Sequence, residues 1–415
     1  MKIWIITQYF HPENFGINQV AVDLAKRGHT VTVLSAMPNY PLGTIWPGYR
    51  GWRIHRETHG GVSVIRLPVI ARGRGTPIRL ALNYLSFALV ATIAVPFLLR
   101  GHADAILVYQ PSPLTVALPA IAVSWVKRIP VILWVQDLWP ESLTSSDISP
   151  WPITLRLIRQ LARFVYRRCS LILVQSRGYI EPIRLLASEV PVRYFPNSAD
   201  AQFRPLDKPP EIDRHLGLPN GFKVLYAGNI GAGQDFETIL STAERLRHFP
   251  EIKWVIVGEG RRKSWVRNEI VARKLGHLFR LVDQQPADLM PLYFAAADGL
   301  LVTLLRGEVA ALTIPSKLQA YLACGRPIIA AIAGEGAKIV AESGAGLTSE
   351  PGNPAALAEA VLTLYNMSPT ERANMGKAGR RYFEQEFDQG QLMDKLAGWL
   401  ADVKHRRPPR NDAPA

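Results

Sequence analysis

A glycine-rich stretch at residues 226–236, YAGNIGAGQDF, is the clearest candidate for binding a phosphate group. It follows a strand-like run and precedes a helical one. The stretch contains three glycines, Gly228, Gly231 and Gly233, which let backbone amides approach an anion. Asn229 and Gln234 add polar side chains to the same loop. The spacing is neither the dinucleotide fingerprint nor a Walker loop, so the stretch predicts a phosphate-binding loop of another class.

The stretch TIPSKLQAYLACG at 313–325 is a second candidate phosphate site. We expect Thr313 or Ser316 to cap a helix there, with Pro315 in the first turn. The free amides of that helix and the ammonium group of Lys317 would then face a diphosphate. A solvated helix lysine is the simpler alternative for Lys317.

Three carboxylates, Asp137, Glu141 and Glu308, lie near predicted strand ends, and Arg306 adds a cation upstream of Lys317. These cations, together with backbone amides, could stabilise negative charge on a leaving group. No pair of His and Cys residues has metal-ligand spacing, so the sequence predicts no metal site. No G-x-S-x-G nucleophile motif occurs.

The first predicted strand is followed by HPENFGINQV at residues 11–20. Gly16 can adopt backbone angles that bring amides close to a ligand. Asn18 is expected to cap the next helix. A helix N-terminus at this point would favour an anion, and a tight turn is the alternative.

The elements that must position these residues alternate between strand and helix, which predicts an α/β fold with parallel sheets. The predicted strands fall into two series: 2–10, 30–34, 105–109, 131–135 and 171–176, then 222–228, 253–260, 279–284, 299–305 and 327–332. The chain is therefore expected to carry two consecutive doubly wound, Rossmann-like modules.

A proline-rich, polar stretch at 196–210 suits a linker between the two modules. We expect an N-terminal acceptor-binding, membrane-facing domain and a C-terminal nucleotide-binding domain, then a helix that returns to the first domain and a disordered tail. The predicted boundaries are 1–200, 201–385, 386–404 and 405–415.

Composition indicates a reducing compartment and an anionic partner. The 415 residues include only two cysteines, which excludes a disulfide framework. The formal net charge is +14, and residues 1–200 carry 21 lysines and arginines against 10 acidic residues. An N-terminal half this basic suggests an anionic partner, such as phosphate, nucleic acid or lipid headgroups. A soluble protein with a cationic surface is the alternative. The N-terminus lacks the features of a signal peptide, so we expect a cytoplasmic protein.

Residues 80–99 form an uncharged, mostly apolar run that is long enough to span a bilayer. Three interpretations compete: a spanning helix, a helix buried against the sheet, and a helix that lies in the membrane interface. The internal Pro96 and the position within an α/β pattern weigh against spanning. Arginines flank the run at Arg72, Arg74, Arg79 and Arg100.

Residues 153–168 predict a basic amphipathic helix, because Arg156, Arg159, Arg163 and Arg167 recur at helical spacing. Such a helix docks on anionic lipid, although an ordinary solvated helix has the same pattern. The two segments together favour a peripheral protein on the inner face of the cell membrane.

Several longer motifs match one family in order and spacing. PNSADAQFRP resembles the linker signature of the retaining GT-B glycosyltransferases of family 4, and VGEGRR, AAADGLLVTL and ACGRPII follow in the family's order. The stretches INQVAVDLAKRGHTVTVLSAMPNYPLG, LALNYLSFAL, VQDLWPES, AGNIGAGQDFETI and LTIPSKLQAYLACGRPIIA bring the chain closest to the WbuB-type transferases. Those are similar to enzymes that add N-acetyl-L-fucosamine in O-antigen or capsule synthesis. The resemblance covers almost the whole chain.

The resemblance implies the GT-B architecture, in which two Rossmann-like domains face a central cleft. It also implies transfer with retention, in which the leaving diphosphate helps to deprotonate the acceptor hydroxyl. Gly16 and Asn18 would lie on the acceptor side. Gln136 and Asp137 take the place of a His-Asp pair that many relatives carry near the donor sugar.

The chain departs from the family pattern at the donor-binding positions. Asn229 and Gln234 stand where many relatives carry an arginine and a lysine for the diphosphate. Leu312 and Ala320 stand at the places of two glutamates. We therefore expect Lys317 and Arg306 to neutralise the diphosphate and Glu308 to contact the sugar.

The sequence as a whole predicts a glycosyltransferase that acts in surface polysaccharide synthesis. The expected donor is a nucleotide diphosphate sugar, UDP-linked rather than GDP-linked and an N-acetylated deoxyhexosamine. The expected acceptor is a polyprenyl diphosphate-linked glycan, with no metal, no other cofactor and no nucleic acid. Catalytic candidates are Gln136, Asp137, Glu308 and Lys317, and substrate-binding candidates are Gly16, Asn18, Gly228, Asn229, Gly231, Gln234, Arg306, Thr313, Ser316 and Lys317. A sugar-nucleotide 2-epimerase and a non-catalytic GT-B subunit are the alternatives.

Overall fold

The computed structural model describes residues 1–144, 152–209 and 211–404. The predicted tail at 405–415 lies outside the described residues. The chain divides into two compact units, of which the first comprises residues 1–196 and the chain from Gly390 onward, and the second comprises residues 197–389.

The strands, in chain order, are β1 Lys2–Ile6, β2 Thr30–Ala36, β3 His55–His59, β4 Val62–Leu67, β5 Ala105–Gln110, β6 Val131–Val135, β7 Leu171–Val174, β8 Val192–Tyr194, β9 Phe222–Ala227, β10 Ile252–Val257, β11 Phe279–Val282, β12 Gly299–Thr303, β13 Ile328–Ala331 and β14 Gly346–Ser349. The helices are α1 Ile17–Lys26, α2 Pro77–Leu98, α3 Leu118–Lys127, α4 Glu141–Thr144, α5 Pro152–Arg167, α6 Ile180–Arg184, α7 Ile212–His215, α8 Phe236–Arg245, α9 Lys263–Ala272, α10 Met290–Ala296, α11 Glu308–Leu312, α12 Ser316–Cys324, α13 Glu335–Ser343, α14 Pro354–Asn366, α15 Pro369–Glu386 and α16 Gln389–Lys404.

The first unit is built on a sheet of eight strands within the described residues, in the order β3-β4-β2-β1-β5-β6-β7-β8. All neighbours run parallel except β3 and β4, which form an antiparallel pair at one edge. The central strands are rich in β-branched residues and buried on both faces, as a sheet covered by helices requires. Leu392, Met393, Leu396 and Leu400 of α16 join the core of this unit, so the C-terminal helix packs with the N-terminal half of the chain.

The second unit carries a parallel sheet of six strands within the described residues, ordered β11-β10-β9-β12-β13-β14. Its core lies on the buried faces of β9 and β10 and on α8, α9 and α14. The strand order reverses between β9 and β12, because successive strands run outward from β9 to one edge and then resume on its other side. Ligands bind beyond the carboxyl ends of the strands at such a point.

The helix α2 contains residues 80–98 of the apolar run that the sequence predicts, and Leu99 follows it as the C-cap residue. It begins at Pro77, with Thr76 in an extended conformation before it, and contains Pro96. It is the one helix among the described residues that is long and apolar enough to cross a membrane, by length and composition alone. Only 28% of the 18-residue apolar segment of this helix is buried. A helix enclosed by the protein core would be buried over most of its length.

Candidate functional site

The glycine-rich loop lies at the carboxyl end of β9, where the strand order of the second sheet reverses. Gly228 has a φ of +137°, a backbone conformation that favours glycine. Its amide donates to the carbonyl oxygen of Val257 at 3.0 Å. A Cβ atom on Gly258 would lie 2.0 Å from the Gly228 carbonyl oxygen, so the loops after β9 and β10 approach each other through glycine. Gly228 and Asn229 themselves are exposed and open to a ligand.

Lys317, from the first turn of α12, reaches this loop. Its Nζ atom lies 3.0 Å from Oε1 of Gln234 and 3.8 Å from the centroid of the Tyr226 ring. The Tyr226 hydroxyl lies 2.7 Å from the Asn229 carbonyl oxygen and 3.0 Å from the same Gln234 oxygen. We refer to Tyr226, Gln234 and Lys317 as the Lys317 cluster. It joins two stretches that the sequence marks separately as phosphate sites.

Burial lowers the pKa of Lys317 from 10.5 to about 7, because the low-dielectric surroundings disfavour the ammonium ion. No carboxylate among the described residues pairs with this lysine. An anion bound beside Nζ would restore the positive charge, so protonation of Lys317 and binding of an anion favour each other.

Gly231 belongs to the same loop, since its carbonyl oxygen accepts a hydrogen bond from the Gln234 amide at 3.3 Å. Thr303, at the end of β12, also closes on the loop through its hydroxyl, which donates to the Gln234 carbonyl oxygen at 2.5 Å. The structure thus brings together Gly228, Asn229, Gly231, Gln234 and Lys317, all of which the sequence predicts as donor-binding residues.

The remaining predicted residues of this unit are arranged differently. Arg306 is exposed and pairs with Glu350 at 3.1 Å. Glu308 is the exposed first residue of α11. Within the described residues, no hydrogen bond or ion pair joins either side chain to the Lys317 cluster. Arg306 therefore enters a diphosphate site only by leaving Glu350, and an exposed pair of this kind contributes little stability.

The capping role predicted for Thr313 or Ser316 is wrong. Helix α12 begins at Ser316 and has Pro315 at its N-cap position, without a side-chain cap bond. The Thr313 hydroxyl instead donates to the Val309 carbonyl oxygen at 2.7 Å, within the short helix α11. The first amides of α12 thus receive no side-chain cap from Pro315, which leaves this helix N-terminus suited to an anion.

The predicted cap at Asn18 is also wrong. Helix α1 begins at Ile17, and Gly16 is the N-cap residue, in a right-handed helical conformation. Asn18 ties the preceding loop to the helix, because its Oδ1 accepts from the His11 amide at 2.9 Å and its Nδ2 donates to the Glu13 carbonyl oxygen at 2.7 Å. Gly16 is exposed at the carboxyl edge of the first sheet.

Gln136 and Asp137 follow β6 at the same edge of the first sheet. The Gln136 amide donates to the Gln110 carbonyl oxygen at 2.9 Å, and Nε2 of Gln110 donates to the Asp137 carbonyl oxygen at 3.1 Å. Burial raises the pKa of the Asp137 carboxyl from 3.8 to about 7, against a hydrogen bond from Ser112 that lowers it. A carboxyl of this kind can donate a hydrogen bond at neutral pH as well as accept one.

The structure adds a carboxylate that sequence reasoning missed, Glu13, in the loop between β1 and α1. Its Oε1 accepts from the amides of Asn39 at 2.9 Å and Tyr40 at 2.7 Å, and its Oε2 accepts from the Phe10 amide at 3.3 Å. Burial raises the pKa of Glu13 to about 7 although these bonds lower it. Two of these partners, Asn39 and Tyr40, lie in the loop after β2, and no local pattern in HPENFG reveals that pairing.

Comparison with known proteins agrees with this layout. A sequence model described as a glycosyl transferase 4-like domain matches residues 15–198, and one described as glycosyl transferases group 1 matches residues 221–367. WcaI of Escherichia coli (strain K12), named for glycosyl transfer in colanic acid biosynthesis, is 27% identical over 338 residues, which are 78% of this chain and 82% of that protein.

Solved structures share the fold over nearly the whole chain. Sucrose-phosphate synthase from Thermosynechococcus elongatus has a TM-score of 0.72 at 16% identity, with 97% of this chain and 98% of that chain covered. HepE from Anabaena, in complex with UDP, has a TM-score of 0.68 at 18% identity, with 97% and 100% covered.

Two parallel-sheet, Rossmann-like units with these relatives define the GT-B fold, as the sequence predicts. The two matched models together cover about four fifths of the chain, one on each unit. The chain belongs to the GT-B glycosyltransferases with a 4-like N-terminal and a group 1 C-terminal domain.

Proposed function

We propose that this protein is a retaining glycosyltransferase of surface polysaccharide synthesis. It transfers an N-acetylated deoxyhexosamine from a UDP-linked donor to a polyprenyl diphosphate-linked glycan, without a metal. The observation that carries the proposal is the Lys317 cluster, in which a lysine with no carboxylate partner in the described part of the chain lies beside an exposed glycine loop. That combination of a cation and open amides suits a diphosphate.

The relatives support the same substrate class. HepE was solved with UDP and also with UDP-glucose, and WcaI is named for colanic acid biosynthesis. We assign the donor to the second unit, where Gly228, Asn229 and Lys317 lie together. The acceptor is assigned to the first unit, at the sheet edge that carries Glu13 and Asp137.

The proposed reaction needs charge stabilisation more than an ionised base. The bond between C1 of the sugar and the diphosphate oxygen breaks, and C1 bonds to the acceptor oxygen on the same face. The acceptor proton passes to an oxygen of the leaving diphosphate. Lys317, protonated when the diphosphate binds, and the amides of the glycine loop stabilise the charge that grows on that group. Asp137, protonated near neutral pH, is assigned a hydrogen bond to a sugar hydroxyl.

A membrane-facing surface in the first unit supports the lipid-linked acceptor. One face of α2 is buried through Asn83, Phe87, Ala91 and Val95. The opposite face carries an exposed apolar stripe, with side chains between 42% and 75% exposed at Ile78, Leu82, Leu85, Leu89, Ile93 and Phe97. Large apolar side chains that recur at this spacing without cover mark an interaction surface.

Exposed cations lie on α5, which is linked to α2 through α3. Helix α2 packs against α3, whose exposed Trp125 contacts the Phe164 ring of α5 at a centroid distance of 6.2 Å. Helix α5 presents arginines to solvent at Arg156, Arg159, Arg163 and Arg167. An exposed apolar stripe and exposed guanidinium groups in the same unit complement an anionic bilayer, and they support a peripheral position on the inner membrane face.

The test of the proposed function is a panel of UDP- and GDP-linked sugars offered to the full-length protein. We expect one UDP-linked N-acetylated deoxysugar to raise the melting temperature and to be hydrolysed slowly without acceptor. Lys317→Met is expected to abolish both effects, and Lys338→Met, on the exposed face of α13, serves as the control. Stabilisation by GDP-sugars alone would contradict the donor assignment, and no response to any nucleotide would contradict the enzyme.

A further inference from the structure

An aromatic platform lies at the carboxyl edge of the first sheet, apart from the Lys317 cluster of the second unit. It consists of Tyr9, Phe15 and Tyr40, from the loops after β1 and β2. The Tyr9 and Phe15 rings stack with centroids 4.9 Å apart, and Tyr40 lies 6.0 Å from Tyr9 and 5.4 Å from Phe15. Tyr40 is 38% exposed, so the platform presents an open ring face or edge to solvent.

Arg72 lies against this platform, with its guanidinium carbon 4.9 Å from the centroid of the Tyr40 ring. No acidic side chain in the described part of the chain forms an ion pair with Arg72. Its charge acts instead on the hydroxyl groups of Tyr9 and Tyr84. This half-buried guanidinium has no acidic partner among the described residues, so it is available to an anionic ligand.

The position of Arg72 is fixed by a buried amide network. The Arg72 amide donates to Oδ1 of Asn39 at 3.2 Å, and the same oxygen accepts from Nδ2 of Asn83 at 3.3 Å. Asn83 of α2 in turn accepts from Nε2 of Gln8 at 2.7 Å. The Glu13 carboxylate fixes the backbone of the neighbouring residues, because it accepts hydrogen bonds from the Asn39 and Tyr40 amides. The same hydrogen-bond network therefore positions the backbone of both Tyr40 and Arg72.

The platform is continuous with the two features already assigned to the acceptor. The Tyr9 and Tyr84 hydroxyls influence each other electrostatically, and the charge of Asp137 acts on the Tyr84 hydroxyl. Arg72 lies five positions before Pro77, the first residue of α2. The subsite thus lies between the Asp137 carboxyl and the start of the helix that carries the apolar stripe.

We propose that Arg72 and the aromatic platform form the acceptor subsite, in which Arg72 binds the diphosphate of a prenyl-linked glycan and the Tyr40 ring packs against its first sugar. This inference rests on the proposed function and assigns its acceptor to named residues. A guanidinium matches phosphate oxygens with two parallel hydrogen bonds, and an aromatic face packs against the C–H face of a pyranose. The prenyl chain then continues toward the stripe on α2.

The test measures binding of farnesyl diphosphate-linked N-acetylglucosamine to the full-length protein in detergent micelles. Arg72→Ala is expected to weaken binding at least tenfold, and Arg72→Lys to weaken it less, because a lysine keeps the charge but loses the paired geometry. Tyr40→Phe keeps the ring and is expected to bind normally, whereas Tyr40→Ala is expected to bind weakly. Arg56→Ala, an exposed arginine on β3, is the matched control and is expected to bind like the unmodified chain.

Two further arms identify the group that Arg72 recognises. Octyl N-acetylglucosaminide, which lacks phosphate, is expected to bind equally weakly to Arg72→Ala and to the unmodified chain. Phosphatidylglycerol vesicles are expected to bind Arg72→Ala and Arg56→Ala equally. If Arg72→Ala loses vesicle binding but keeps the diphosphate ligand, Arg72 is a headgroup contact and the inference is overturned.

Donor hydrolysis by the same variants separates this inference from the proposed function. We expect the unmodified chain and Arg56→Ala to hydrolyse the nucleotide sugar at equal rates, and Arg72→Ala to keep the melting temperature of the unmodified chain within about 2 °C. Normal binding of the diphosphate ligand by Arg72→Ala, with donor hydrolysis intact, would overturn the acceptor subsite and leave the transferase standing. Should Arg72→Ala fold poorly, the pair Tyr40→Phe and Tyr40→Ala decides the same question.

Discussion

The ammonium group of Lys317 lies 3.8 Å from the centroid of the Tyr226 ring, in a setting that lowers the lysine pKa to about 7. The Tyr226 ring and the Gln234 oxygen offset part of the free-energy cost of burying the ammonium charge. No carboxylate among the described residues pairs with it to offset the rest. A diphosphate would do so. This relationship leads to the first prediction.

Binding of a UDP-sugar is expected to weaken as the pH rises above 7. The ordinary pKa of 10.5 falls to about 7 in the folded protein, so the ammonium form is lost above that value. The diphosphate of a UDP-sugar keeps its charge in this range and binds the ammonium form. The dissociation constant should therefore rise by up to about tenfold per pH unit between pH 7 and pH 8.5.

Isothermal titration of UDP-N-acetylglucosamine across this range measures the slope. Lys317→Met is expected to bind at least about tenfold more weakly at pH 7 and to show no slope, since it cannot titrate. An equal slope in Lys317→Met would show that another group is responsible.

Gly258→Ala is expected to displace the donor loop. The residue has a φ of +150°, and a Cβ atom would lie 2.0 Å from the Gly228 carbonyl oxygen. Backbone strain and the clash together should cost at least about 2 kcal/mol of unfolding free energy and lower UDP-sugar affinity. Gly276→Ala is the control, because a Cβ atom there meets nothing within 4 Å. Chemical denaturation measures the unfolding free energy, and isothermal titration measures the UDP-sugar affinity. Equal values for Gly258→Ala and Gly276→Ala would contradict the close approach of Gly258 to the Gly228 carbonyl oxygen.

Asp137→Asn is expected to raise stability while it lowers transfer. Burial raises the carboxyl pKa from 3.8 to about 7, so the folded protein keeps a proton that the unfolded chain has lost. Stability from this group is full below the unfolded value and is lost as the pH rises through 7. Asparagine cannot ionise, so the melting temperature of the variant should exceed that of the unmodified chain by a margin that grows between pH 4 and pH 7. A margin that is constant with pH would contradict the buried carboxyl.

The double variant Leu89→Glu, Ile93→Glu is expected to lose binding to phosphatidylglycerol vesicles. Both side chains are exposed on the stripe of α2, at 64% and 63%, and neither belongs to the core. Two carboxylates there remove apolar contact and repel anionic lipid. Val271→Glu, at an equally exposed apolar position of α9, is the control. Vesicle flotation at low and high salt measures the effect, and flotation of the double variant like that of the control would count against a membrane-facing α2.

The predicted strands follow from short apolar runs rich in β-branched residues. In an α/β chain such runs form strands that are buried on both faces of a parallel sheet. Strand β3 was not predicted, because His55–His59 consists of polar residues at a sheet edge and lacks that signal. Strand β4 was also not predicted, although Val62–Leu67 is largely buried and carries β-branched residues. The caps at Asn18 and Thr313 were wrong because each side chain bonds to another local carbonyl or amide.

Other parts of the site depend on contacts between distant segments. Glu13 gains its role from amides 26 and 27 positions away, and Arg72 from Asn39 and Tyr40. Lys317 could be marked from the sequence because it follows a helix start, but its partner Gln234 lies 83 positions earlier. Proximity of this kind is set by the order of strands in the sheet rather than by local pattern.

The most direct test of the central claim is transfer of a labelled N-acetylated deoxyhexosamine from its UDP donor to farnesyl diphosphate-linked N-acetylglucosamine. We predict a labelled lipid-linked disaccharide whose new bond keeps the anomeric configuration of the donor, read by proton NMR. Lys317→Met should reduce the rate at least about a hundredfold. A product of inverted configuration would contradict the retaining mechanism. No transfer and no donor hydrolysis with any nucleotide sugar would contradict the assignment of this chain as an active glycosyltransferase.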